Sequence, residues 1–386
     1  MQEQVPQDVH IAKKIRQQLI PMIVQWEITQ RCNWNCRFCY QDEHITEVLS
    51  TEEIQRVIDD FSELGTLKLI LTGGEPLVRK DLFQIAEYAK KKGIVLCLYS
   101  NGEKLADPEI AEKVSRMFAE VEISILAGDS EIHDELSRKK GSFYKTLQGI
   151  KNIHANGTKV LVKTPVTRKA LPSLKKLESL LQELSLEWNV DVDITPTYEG
   201  SFVPTDDFSL TYEDMKQFWV DFPQYSSLLM FPPDYANLDP NPDSDGLCRA
   251  GRNFCFIDAK GNVYPCLQFK IGMGEESSSS TSWAGNGPSA NCGNIKEKSF
   301  KEIWNQSPMF QKIRSITARD LTICTTCDAF KDCPKCMANN YRAWGVIDIA
   351  GPSTCNKTAT SMKLRNENFE PAGIRRTRNL GLKPRM

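Results

Sequence analysis

The chain has 386 residues, 40% of them apolar, and a formal charge of −2. That length exceeds one ordinary core and suits two domains, while the small charge excludes a global pull toward nucleic acid or an anionic membrane. No apolar run reaches the roughly 18 residues of a membrane span, and Met1 to Ile20 lacks a signal-peptide apolar segment.

Residues 1–20 read as an N-terminal extension. Met22–Thr29 predicts a first strand. Ser50 or Thr51 then caps a helix in which Ile54, Val57, Ile58 and Phe61 recur at helical spacing. Leu67–Leu71, Val95–Tyr99, Val121–Ile125, Val160–Thr164 and Val190–Thr195 predict further strands. Helices are predicted between them over Asp81–Lys92, 108–118, Phe143–Ala155 and Leu174–Leu184. This α/β alternation, repeated six times over 21–230, predicts a parallel sheet with helices outside. The site is then expected at the C-terminal strand ends. Lys163, in an otherwise apolar strand, either points into the barrel or reaches solvent at an edge.

Residues 231–247, rich in Pro and Asp, read as a linker. A Cys-rich second domain follows over 248–360. Its Gly/Ser/Asn-rich stretch 272–291 reads as a mobile surface insert. Residues 361–386 form a basic tail, read as solvated.

Thirteen cysteines without a signal peptide point to metal rather than disulfides, and to a cytoplasmic protein. Cys32, Cys36 and Cys39 form C-x3-C-x2-C directly after the first strand. Three thiolates there can hold three irons of a [4Fe–4S] cluster, which normally takes four Cys. The fourth iron is then open to an exogenous ligand. A zinc knuckle completed by His44 is the competing reading. Gly73-Gly74-Glu75-Pro76 follows the second strand. Its glycines would let backbone approach a ligand closely, and Glu75 could accept a hydrogen bond from a ligand amine. Further on, Cys248, Cys255 and Cys266 surround Gly261, and Cys324-x2-Cys327-x5-Cys333-x2-Cys336 precedes a lone Cys355. Zinc is the competing reading here too. Cys97 and Cys292 read as small buried hydrophobes.

The first cysteine triplet, with Phe38 before its last Cys, resembles the radical S-adenosylmethionine (SAM) superfamily. The resemblance implies an open, partial (β/α)6 barrel. It also implies that the amine and carboxylate of SAM chelate the open iron. One-electron reduction of the sulfonium then gives a 5′-deoxyadenosyl radical that abstracts hydrogen. The SAM contacts it implies are Phe38, Tyr40 beside the adenine, Gly73, Gly74 and Glu75 at the amine, Ser100, Ser124 at the ribose or carboxylate, and Arg138 as a carboxylate clamp. The family's common Asp-Gly pair after the strand-four Ser is Leu126-Ala127 here.

The later cysteine array resembles the SPASM domain, which implies two auxiliary [4Fe–4S] clusters. By that resemblance one takes Cys248, Cys255, Cys266 and Cys336, and the other Cys324, Cys327, Cys333 and Cys355. Cys333-x2-Cys336 departs from the usual C-x3-C.

The stretch from Glu122 to Thr167 is most similar to peptide maturases of the sactipeptide, ranthipeptide and mycofactocin type. That implies a ribosomally made precursor peptide, an oxidative thioether or C–C cross-link, and a reductant such as a flavodoxin or ferredoxin. About twenty residues precede the first strand, so no N-terminal leader-binding domain is expected. Leader binding would fall to the auxiliary domain or a separate small partner. Three alternatives stand. One is a sulfatase maturase, whose Asp after the Cys following G-x4 is Leu267 here. Another is a small-molecule substrate such as a tetrapyrrole, and the third is a non-enzymatic iron–sulfur electron carrier. No His, Asp or Glu of the barrel has a spacing that singles it out as acid or base.

Overall fold

Alternate residues of each strand face opposite layers, and the sequence fills both sides of one sheet. The structure, a computed structural model, describes residues 19–41, 49–192, 194, 208–225, 247–270, 290–321, 323–327, 330, 333, 335–351 and 355. The expected linker (apart from residue 247), nearly all of the insert, the basic tail and His44 lie outside them. Six strands come first: β1 Ile23–Glu27, β2 Lys68–Thr72, β3 Val95–Ser100, β4 Glu120–Ser124, β5 Lys159–Pro165 and β6 Glu187–Asp191. Each pairs parallel with the next, and among the described residues β6 ends the sheet. The barrel is therefore partial and open, as expected. β6 begins three residues earlier than the sequence suggests, because its pairing with β5 starts at Glu187 opposite Leu161.

The helices are α1 Thr51–Leu64, α2 Leu82–Lys91, α3 Pro108–Met117, α4 Ser130–Ser137, α5 Ser142–Ala155, α6 Leu174–Glu183 and α7 Tyr212–Asp221. Local chemistry starts them: Ser50 Oγ accepts from Glu53 N at 3.2 Å, while the Glu53 carboxylate accepts from Ser50 N at 2.8 Å. The sequence does not predict α4. It is short and largely polar, and Asp129 caps it by accepting from Glu131 N and Ile132 N.

The sheet continues past the compositional boundary near residue 248. β7 Phe254–Ile257 pairs parallel with β1, and β8 Asn262–Tyr264 and β9 Gly293–Asn294 follow antiparallel. Beyond them lie α8 Leu267–Lys270, α9 Phe300–Gln306, α10 Pro308–Ser315 and α11 Met337–Trp344. Phe300 of α9 meets Phe61 of α1 edge-to-face at 4.8 Å, and Phe61 meets Trp26 at 5.8 Å. One apolar core thus joins the barrel to α9. A smaller core holds Leu247, Phe269, Ile313, Leu321, Met337 and Tyr341. Among the described residues no helix is long and apolar enough to cross a membrane.

Because Trp26 faces α1, alternation turns Glu27 toward the barrel interior. Strand register places Thr72, Tyr99 and Glu122 on the same inner face, with Ser124 and Lys163 one step nearer the mouth.

Candidate active site

The loop carrying Cys32, Cys36 and Cys39 leaves β1 at the C-terminal mouth, where the sequence places it. Two backbone donors dock it on the C-terminal end of α4: Asn35 N to Ser137 O at 3.2 Å and Arg37 N to Leu136 O at 3.0 Å. The helix end offers otherwise unsatisfied carbonyls, so the loop completes it. On the other side Glu103 accepts from Asn33 Nδ2 at 3.0 Å and Trp34 Nε1 at 2.5 Å, and Lys145 holds the same carboxylate at 2.9 Å. Asn101 Nδ2 donates to Asn33 Oδ1 at 2.8 Å.

The three thiols are near enough to act on one another electrostatically. Burial pushes Cys32 up to about 12, with the neighbouring charges of Glu75 and Cys39 adding to the rise. Cys36 is raised by burial and then by Cys39 and Cys32, while the Arg138 guanidinium pulls the other way. Arg138 is thus close enough to act on the cysteine loop. It ends α4 in a left-handed conformation, φ 53°.

His133 and Trp34 meet edge-to-face at 5.5 Å. His133 Nδ1 pairs with Ser142 Oγ at 3.0 Å, and Asp134 accepts from Ser142 Oγ and Phe143 N. This HD…GSF network backs the cysteine loop. Burial holds the His133 imidazole down at about 4, against the pull of Asp134. Folding therefore favours neutral His133. That contribution is complete above pH 6.5 and is lost as the pH falls toward 4. We expect His133→Gln to remove a pH-dependent loss on the order of 2–3 kcal/mol across that window. Chemical denaturation at both ends of the window checks it, and parallel stability profiles for the two proteins would count against it.

The Gly73-Gly74 pair also has a task within the protein. A Cβ on Gly73 would lie 2.2 Å from Thr29 O, and one on Gly74 would lie 2.4 Å from Arg31 O. Gly74 N and Glu75 N donate to those same two carbonyls at 2.9 and 2.8 Å. The glycines let this turn lie directly against the start of the cysteine loop. Glu75 is fully buried, and its carboxylate accepts from Leu77 N at 3.0 Å, Ser100 Oγ at 3.0 Å and Asn101 N at 2.7 Å. Burial lifts its carboxyl to about 7 against the pull of those donors. Glu75 and Ser100, both expected at the ligand, meet each other and the Asn101 backbone here. Both side chains are turned to the protein, because the Ser100 hydroxyl also accepts from Gly102 N at 3.0 Å. Ser124 sits half-buried at the end of β4, in register with Lys163. Phe38 leans on Phe208, centroids 6.3 Å apart, and Tyr40 is half-buried beside Cys39. Lys163 does point inward: its Nζ lies 3.9 Å from both Glu122 and Asp191 carboxylates.

The later cysteines divide into two groups. Cys266 is raised by burial and then by Cys336 and Cys248. Burial lifts Cys324 and Cys355 to about 12, with Cys333 and Cys327 raising both. Cys255, expected with Cys248, Cys266 and Cys336, is not among the thiols that act on Cys266. It lies in β7 in register with Val24, on the helix-facing side, where burial, Cys292 and Arg314 are its influences. The spacing C-x6-C-x10-C carries no information about which face of a strand a thiol takes. Among the described residues, no three His, Cys, Asp or Glu side chains converge on a single ion. The groups suit the wider footprint of a cubane, whose thiolates bind separate irons. Cys255→Ser should leave the iron content unchanged, whereas Cys248→Ser should cost up to about four irons per chain. Iron analysis of anaerobically reconstituted protein decides it, and a loss in the Cys255 variant would restore that residue to the set.

A thiol triplet at the mouth of a parallel partial barrel, with two further thiol groups behind it, defines an iron–sulfur enzyme. The chain belongs to the radical SAM superfamily, whose family model matches residues 26–168, and residues 248–334 match the SPASM iron–sulfur cluster-binding domain. SAM and iron–sulfur clusters are its cofactors. It is 28% identical to an AdoMet-dependent heme synthase of Methanosarcina barkeri, covering 84% of this chain and 93% of that one. It is 27% identical to the mycofactocin maturase MftC of Mycolicibacterium smegmatis, covering 91% and 86%. Its fold is similar to Streptococcus suis SuiB bound to S-adenosylmethionine, with TM-score 0.64, 17% identity and coverage of 90% and 80%. It is likewise similar to anSMEcpe with bound AdoMet, with TM-score 0.65, 16% identity and coverage of 93% and 96%.

Proposed function

We propose that this chain is a peptide maturase: it removes hydrogen from a ribosomally made precursor peptide and leaves an oxidative thioether or C–C cross-link. When bound, SAM and its cluster would supply the 5′-deoxyadenosyl radical that takes one hydrogen atom, and an auxiliary cluster would accept the electron released as the second hydrogen leaves as a proton. Cys32, Cys36 and Cys39 would hold the cluster. Cys324, Cys327, Cys333 and Cys355 would hold one auxiliary cluster, and Cys248, Cys266 and Cys336 would supply the thiolates of the other. Glu75 and Ser100 would fix the turn whose Gly73 and Gly74 backbone meets the SAM amine, and Arg138 would face its carboxylate. Phe38, Tyr40 and Ser124 would line the remainder. A flavodoxin or ferredoxin would deliver electrons, and a separate small protein would present the leader. Its free thiols suit the reducing cytoplasm.

The observation that carries the peptide reading is the charge of the inner wall. Glu122 and Asp191 flank the single ammonium of Lys163 at 3.9 Å each. Burial pushes the Glu122 carboxyl up against the pull of Lys163, so the wall offers a polycarboxylate substrate an ammonium already shared between two carboxyl groups, whereas an uncharged peptide backbone needs no cation there. The likeness to MftC supports the same reading. A second reading, a porphyrin side chain as substrate, is favoured by the relatives named AdoMet-dependent heme synthase. Anaerobic co-expression with candidate precursor peptides, read by mass spectrometry, tests the proposal. The expected product has lost two hydrogens per modified site. Turnover of a polycarboxylate porphyrin, with every peptide unmodified, would replace it with the second reading.

A further inference from the structure

Glu27, at the inward-facing end of β1, is completely buried. Gln41, two residues past Cys39, donates to its Oε1 at 3.0 Å. Lys270, four residues past Cys266, brings its ammonium to 3.6 Å from Glu27 Oε2 and 3.2 Å from Asp258 Oδ2. Asp258 is itself buried and is held by Lys260 N, Asn262 N and Asn262 Nδ2 at the β7–β8 turn. The Lys270 side chain is only 11% exposed. These residues form one contiguous buried bridge. It runs from the end of the first cysteine loop, through β1, to the helix that follows Cys266.

We propose that Lys270 is a positioning residue that fixes the Cys266 loop against the end of β1 and, through Glu27, against the first cysteine loop. The physical ground is the cost of burial. A carboxylate removed from water is tolerated only with a charge or hydrogen-bond partner. Glu27 points inward from β1, and Lys270 carries the positive charge that meets it there from the auxiliary segment. The short α8, residues Leu267–Lys270, leaves little slack between this anchor and Cys266. Displacing the ammonium therefore shifts the thiolate loop and Gln41 together. This role is the same whether the substrate is a peptide or a porphyrin.

The test uses anaerobically reconstituted full-length protein. Lys270→Met keeps the length of the side chain and removes its charge, and Lys270→Arg keeps the charge. Hydrogen exchange in the Met variant should quicken about tenfold in residues 23–41 and 254–270, with β4 and β5 unchanged. The magnetic interaction between the reduced first-loop cluster and its auxiliary neighbour should change in parallel, as read by EPR relaxation. The Arg variant should recover both readouts. If the Met variant does not fold, Glu27→Gln and Asp258→Asn combined with Lys270→Met remove all three charges of the bridge and should fold, with the same local loosening. Uniform quickening across the chain, unchanged exchange at 23–41, or failure of the triple variant to fold would overturn the positioning role.

Discussion

Arg79→Met should destabilise the folded protein by about 3–5 kcal/mol, the cost of breaking a buried charged network. Arg79 is almost fully buried. Its Nη1 donates to Ile28 O at 2.6 Å and its Nη2 to Leu49 O at 2.9 Å. Its Nε and Nη2 grip the two oxygens of Asp81 at 2.9 Å each. One planar fork therefore joins the exit of β1, the approach to α1 and the start of α2. Removing it takes the guanidinium donors from two carbonyls and leaves the Asp81 carboxylate with the Thr51 hydroxyl. Lys cannot reproduce that bidentate geometry, so Arg79→Lys should recover less than half of the loss. Thermal and chemical unfolding check both variants, and a Met variant within about 1 kcal/mol of the parent would show that solvent or a rearranged loop replaces the network.

The second large effect is expected at Glu75. Glu75→Ala should weaken SAM binding roughly tenfold to a hundredfold while every iron stays in place. The carboxylate touches none of the three cysteines in a bond, so the iron count has no reason to fall. It does hold Leu77 N, Ser100 Oγ and Asn101 N, and its removal leaves those buried donors unsatisfied at about 1–3 kcal/mol each. The turn bearing Gly73 and Gly74 then loses its anchor to β3. Glu75→Gln keeps the shape but turns one acceptor into a donor facing a backbone N–H, so it should fall between the parent and Ala. Equilibrium binding of SAM to reconstituted protein, alongside iron analysis, is the measurement. Full SAM affinity in the Ala variant, or a loss of iron, would remove Glu75 from this role.

Much of the fold is legible in the chain because its signals are local. The period of two in Met22–Thr29 and the capping box at Ser50 need no distant partner, and they mark β1 and α1 correctly. The same holds for Cys32, Cys36 and Cys39, whose closeness is guaranteed by a loop of eight residues. α4 escapes notice because eight mostly polar residues carry too weak a period. Its C-terminal carbonyls nevertheless hold the first cysteine loop.

Local pattern therefore accounts for the alternating scaffold, the thiol-rich loops, and the chemistry those thiols can support. Spacing sufficed wherever covalent connection keeps the partners near each other. Long-range packing turns Cys255 to the helix layer, brings Glu103 to Trp34 from 69 positions away, and sets Glu75 against the protein's own donors. It alone joins Lys270 to Glu27. The reason is physical. Which face a strand presents, and which charge meets which across a barrel, depends on pairing register and burial between segments far apart in the chain, and no local pattern encodes either.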